Sequence, residues 1–112
     1  MLFVKNLDRM VLFYRDTLGL SLIVDTRTDS WAEFQAGSTT IALHAIPTAI
    51  ASQIEITDPP EPREDVPVKL IFEVKDLEAE NHRLTALGMK LTRHEWGAME
   101  GTDPEGNILQ FV

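Results

Sequence analysis

Apolar positions along this chain follow two periods, and the periods alternate in blocks. Leu2 to Lys5 is a brief apolar run, and Asn6 offers a capping side chain ahead of LDRMVLFYRDTL, where Leu7, Met10, Val11, Tyr14 and Leu18 recur at helical spacing. Gly19 follows as a C-terminal stop. The spacing predicts a strand and then a helix from about Leu7 to Leu18. LSLIVDT, WAEFQA and TIALHA come next, rich in β-branched and aromatic residues and separated by TDS and GST, and they predict antiparallel strands.

The same order then returns. Val68 to Val74 reads as a strand, Asp76 as a second cap, and Leu77, Asn81, Leu84 and Leu87 as a helix face that Gly88 closes. MKLTRHE, AMEGT and NILQFV predict further strands, with DPEG turning between the last two. VKNLD at Val4 to Asp8 reappears as VKDLE at Val74 to Glu78, and TLGLSL at Thr17 to Leu22 as ALGMKL at Ala86 to Leu91. Two matching stretches in one order indicate an internal duplication of a βαβββ unit, with module 1 over about 1–46 and module 2 over about 67–112.

The connector between them, about residues 47–66, holds four of the six prolines and a net negative charge. Its length suits a solvated linker or a lid over a site. With 112 residues, 44% of them apolar, the chain is expected to form a single domain. The net charge of -8 argues against nucleic acid and anionic membrane surfaces, whose phosphates require clustered Lys and Arg. Absence of cysteine removes disulfides, thiolate ligands and a cysteine nucleophile. No apolar run is long enough to span a bilayer and no leader-like N-terminal segment is seen, so a cytoplasmic location is expected.

One βαβββ unit leaves a sheet face and an edge uncovered. Strand alternation directs Leu2, Val4, Leu70, Phe72 and Val74 toward the helices, and Phe3, Lys5, Lys69, Ile71, Glu73 and Lys75 the opposite way. A carboxylate in mid-strand, Glu73, needs water or a partner, so the face away from the helices is expected to line a hollow.

Two such halves, the FYRDTLGL helix exit and the terminal DPEGNILQF resemble the glyoxalase, bleomycin-resistance and extradiol dioxygenase superfamily, the vicinal oxygen chelate fold, over essentially the whole chain. The resemblance implies an α+β fold: two βαβββ modules forming a curved mixed sheet, or cup, with helices on the outer face. It also implies a homodimer with the cups at the subunit interface. Enzymes of this superfamily hold a divalent metal in the cup with His, Glu or Gln, two per module. Carried over position by position, the resemblance puts Lys69 at the first strand position of module 2 and Gln110 at the last. In module 1 it puts His44 opposite Gln110, and the remaining position precedes Met1. An ammonium offers no lone pair, so His44 and Gln110 remain as a degenerate ligand pair.

Trp31 and Trp96 fall in matching regions of the halves, either as core or as flat walls for an aromatic or cationic ligand. Glu73 and Glu100 add negative charge nearby, and Lys5, Lys69 and Lys75 oppose it or bind a ligand carboxylate. His94 shows no comparable placement, and His82 in the second helix is expected to be solvated. The expected ligand-binding residues are therefore His44, Gln110, Lys69, Glu73, Phe3, Lys5, Ile71, Trp31 and Trp96.

The favoured reading is a glyoxalase/bleomycin-resistance-like protein that binds a small organic molecule in the cup without a complete metal site. A second is a metal-dependent glyoxalase-type lyase or dioxygenase-family enzyme using His44 and Gln110, with Glu73 as ligand or general base and the metal completed by a partner subunit. A third is a non-catalytic interaction module.

Overall fold

The computed structural model describes residues 1–63, 65 and 67–112. They form two compact units, Met1–Glu55 and Ile56–Val112. Each carries a four-stranded mixed sheet.

In the first unit, β1 (Leu2–Val4) leads into α1 (Leu7–Leu12), whose Asn6 side chain accepts the Arg9 backbone N–H at 3.1 Å. The helix continues as a π-helical turn over Phe13–Thr17, with the Leu18 N–H reaching the Phe13 carbonyl at 2.9 Å. Then come β2 (Ser21–Leu22), β3 (Trp31–Ala36) and β4 (Thr39–Ala45). The sheet order is β1-β4-β3-β2, with β1 parallel to β4 and the other pairs antiparallel. The expected strand LSLIVDT is cut short, because Val24–Thr26 winds into a 3-10 turn after two paired residues. Val4, Met10, Tyr14, Phe34 and Leu43 are fully buried between helix and sheet, and Tyr14 meets Phe34 at 6.0 Å between ring centroids.

The second unit repeats the plan. β5 (Lys69–Phe72) precedes α3 (Leu77–Ala86), capped by the Asp76 side chain on the Ala79 N–H, and β6 (Thr92–Arg93), β7 (Met99–Thr102) and β8 (Ile108–Phe111) follow. Its order is β5-β8-β7-β6. Leu84, Leu109, Met99 and Phe111 form the core face, with Phe72 and Phe111 stacked at 5.8 Å.

The β7–β8 turn is built on Asp103. Its fully buried carboxylate accepts the N–H groups of Glu105 and Asn107 and the Asn107 amide at 2.7 Å. Gly106 adopts φ +85°, and a Cβ there would lie 2.3 Å from the Glu61 carbonyl oxygen. Only glycine lets the connector pass so close.

The connector is not a uniform linker. Its first part forms α2 (Thr48–Ala51) and is held to the first unit by the Lys5 ammonium, which donates to the Ile54 carbonyl. Its later part belongs to the second unit, where the Arg63 N–H donates to the Gly106 carbonyl at 2.9 Å. Residues 64 and 66 of the expected connector lie outside the described residues.

Candidate functional site

Pleating sends alternate residues of the second sheet away from its core. The β5–β8 and β7–β8 ladders pair Lys69 with Ile108, Ile71 with Gln110, Glu100 with Gln110 and Thr102 with Ile108, so these side chains share one face. Thr92 of β6 pairs with Glu100 and extends the face.

Glu100 is its hub. Oε2 receives Gln110 Nε2 at 2.7 Å and Lys69 Nζ at 2.9 Å, and His94 Nε2 lies 3.1 Å away. The Gln110 amide, followed by Lys69 and His94, holds the Glu100 carboxyl down to about 2, while partial burial works the other way. His94 occupies a tight turn whose N–H donates to the Ala98 carbonyl at 2.8 Å and whose Gly97 adopts φ +101°. Trp96 lies flat on the His94 ring, with centroids 4.1 Å apart and planes within 9°, and is 70% exposed. A cavity of about 220 Å³ opens beside Glu100, walled by Lys90, Thr92 and Thr102 and by Pro60 and Pro62 from the connector.

The first unit arranges aromatic residues instead. His44 stacks on Phe3 at 5.4 Å and meets the Trp31 edge at 5.6 Å, while Trp31 Nε1 donates to Glu33 Oε1 at 2.7 Å. A second cavity of about 420 Å³ lies at the start of α1, between Lys5, Asp8, Asp29, Thr48 and Ser52.

Of the residues expected at the site, the second unit brings Lys69 and Gln110 into direct contact with Glu100, with Ile71 on the same face and Trp96 on the adjoining turn. His44, Phe3 and Trp31 cluster in the first unit. Lys5 lines the other cavity, and Glu73 is exposed just past the end of β5, outside the Glu100 network. Glu100 and His94 are the residues that sequence reasoning undervalued. Folding AMEGT and NILQF back to back across DPEGN sets Glu100 opposite Gln110, so the signal was the hairpin itself.

The ladders also correct the internal repeat. Ile23 N–H donates to the Glu33 carbonyl just as Thr92 pairs with Glu100, and TLGLSL/ALGMKL makes Ile23 the counterpart of Thr92. Glu33 then matches Glu100, and its partner Ala42 matches Gln110. His44 lies two residues further along β4 than the position opposite Gln110.

A divalent metal does not fit this set. The oxygen it would need already takes the Lys69 ammonium at 2.9 Å, and a cation placed there would face that positive charge. Among the described residues, no three or more His, Asp or Glu side chains gather to hold a metal ion.

A duplicated βαβββ chain with a polar, partly open sheet face defines the class. The chain belongs to the Glyoxalase/Bleomycin resistance protein/Dioxygenase superfamily, whose family model matches residues 1–111. No curated protein matches it. Among solved structures, a glyoxalase/bleomycin resistance protein/dioxygenase from Nocardioides is similar with TM-score 0.71 and 21% identity, covering 98% of this chain and 77% of that one. Lactoylglutathione lyase from Agrobacterium tumefaciens is similar with TM-score 0.67 and 22% identity, covering 98% and 87%. A bleomycin resistance determinant encoded on the transposon Tn5 has TM-score 0.65 and 18% identity, covering 99% and 91%. At these identities the likeness shows the fold. No helix among the described residues is long and apolar enough to cross a membrane.

Proposed function

We propose that this chain is a small-molecule-binding member of the superfamily that works without a complete metal site. Its ligand lies in the second unit, beside Glu100. The observation that carries the reading is the commitment of the Glu100 carboxylate to Lys69 and Gln110, with His94 alongside, which leaves a polar floor already neutralised from within.

Chemistry of the surroundings narrows the ligand. Trp96 on His94, on the turn next to the cavity and outside its lining, is a flat, exposed platform suited to stacking an aromatic ring. Lys90, Thr92 and Thr102 supply polar contacts, while Pro60, Pro62 and Ile108 supply apolar walls. The cavity of about 220 Å³ falls below the roughly 300–1,000 Å³ of drug-sized sites, so it takes a small aromatic molecule, or one planar moiety of a larger one. The acidic chain, with net charge -8, favours a neutral or cationic ligand. The protein acts in the cytoplasm as a homodimer in this reading, consistent with the exposed apolar side chains of Phe3 and Ile71.

Thermal shift and calorimetric titration with a panel of small neutral and cationic aromatics, including cationic glycopeptide antibiotics, test this reading. Saturable binding that persists in a chelator supports it. A panel without a single binder, or binding abolished by the chelator, refutes it. Native mass measurement gives the oligomeric state and any retained ion in the same experiment.

A further inference from the structure

Three nitrogen atoms converge on one oxygen in the second unit: Gln110 Nε2 at 2.7 Å, Lys69 Nζ at 2.9 Å and His94 Nε2 at 3.1 Å from Glu100 Oε2. An imidazole and a carboxylate are ordinary ligands of a divalent ion, and an amide contributes its oxygen once turned. The His94 ring is held in place, stacked on Trp96 at 4.1 Å and carried by a turn closed by the 2.8 Å bond to the Ala98 carbonyl. Ligands held in this way need little reorganisation. The member of the cluster that cannot coordinate is Lys69. Its ammonium has no lone pair, and it puts a positive charge where an ion would sit.

We propose that Lys69 is the resident cation of this sheet face, standing in the place of a divalent metal ion, and that this one side chain sets the metal-free character of the second unit. The inference rests on the metal-free reading above and goes beyond it by treating Lys69 as the one position whose replacement with a ligating side chain turns this cluster into a metal site. Lys69 is fixed opposite Ile108 in the β5–β8 ladder, so its side chain rises from a rigid strand onto Glu100. An imidazole at the same position is shorter than the lysyl chain by about the length of a metal–nitrogen bond of about 2.0–2.1 Å, so an ion bound to it falls near the present ammonium. The 2.9 Å separation of Nζ and Oε2 then has to close by less than ~1 Å to reach a metal–carboxylate bond. A small side-chain rotation of Glu100 supplies that.

The test is titration with Co(II), read by visible absorption, and with Zn(II), read by calorimetry. It compares the intact chain, Lys69→His, and Lys69→His combined with Glu100→Gln. The native chain should show no saturable site, whereas Lys69→His should bind one ion per chain at least about 100-fold more tightly, and the double substitution should lose most of the gain. A folded Lys69→His that gains no metal overturns the inference and leaves the small-molecule reading intact. Saturable metal binding by the native chain overturns both, and failure of the aromatic panel alone overturns only the functional reading. If Lys69→His does not fold, the carbon-13 resonance of the Glu100 carboxyl decides on the native protein. It should stay fixed in excess Zn(II), and a shift on Zn(II) addition defeats the proposal.

Discussion

Glu100 accepts hydrogen bonds from Gln110 and Lys69 on a single oxygen, with His94 3.1 Å from it, and its carboxyl is held down to about 2 against an ordinary value of 4.5. A group whose pKa is depressed by folding contributes stability that is fully present above its unfolded pKa and is lost as pH falls toward the folded one. Stability should therefore decline from about pH 4.5 to about pH 2 through this residue. Because Lys69 is half exposed and screened, Glu100→Gln should cost only about 1–2 kcal/mol at neutral pH. It should also flatten the acid limb of a series of urea midpoints, and an unchanged limb in the variant would assign the acid sensitivity elsewhere. Trp96 gives the complementary expectation. It is largely exposed, so Trp96→Ala should leave the melting temperature nearly unchanged, within about 0.5 kcal/mol, while weakening an aromatic ligand roughly tenfold or more. Calorimetric titration beside a thermal melt separates the two effects, and equal affinity in the variant would remove the platform from the site.

Turns decide the elements as much as periodicity does. Asp103 holds the DPEGN hairpin through bonds to two backbone N–H groups and one amide, all on a fully buried carboxylate. Asp103→Ala should cost about 2–4 kcal/mol, measured by denaturant unfolding, and a loss below about 0.5 kcal/mol would mean that water replaces the carboxylate without penalty. Gly106→Ala should cost about 1–3 kcal/mol from its positive φ alone, and its methyl should push the connector away at Glu61, visible as faster proteolysis near residues 57–63. Both positions were legible as a turn motif, as were the Asn6 and Asp76 caps, the full length of β3, and β4 to within one residue, since Thr39 of the expected GST separator already pairs with Ala36. The π-helical turn was not, because Tyr14 and Leu18 keep helical spacing whichever way the backbone winds. β2 and β6 shrank to two residues each, since apolar runs carry no mark for where pairing stops. α2 was missed because TAIA offers too few residues for a period. His44 drew attention through its chemistry, yet the counterpart of Gln110 is Ala42, which has no chemistry to find. A slip of two residues keeps a side chain on the same sheet face, so alternation, which exposes a one-residue slip, does not separate His44 from Ala42.

At the scale of the whole chain, the two units are similar in size and each exposes a sheet face away from its own helix. Phe3 is 58% exposed in one and Ile71 63% in the other. A domain of about 60 residues buries only about 60% of the surface its unfolded chain exposes, which makes it marginal by itself. Most of the net charge of -8 falls in Ile56–Val112, so self-repulsion weakens that unit further. Chain size alone thus predicts that neither unit folds cooperatively without the other. Met1–Glu55 and Ile56–Val112 expressed separately should each show little cooperative unfolding, while the intact chain should unfold in one transition by circular dichroism and by Trp fluorescence. The two tryptophans, Trp31 and Trp96, fall one in each unit, so replacing either with Phe reports on the other unit alone. Coincident midpoints in both single-tryptophan chains are expected. Two separated midpoints, or a fragment with a cooperative melt of its own, would show that the duplicated modules are independent domains joined by the connector.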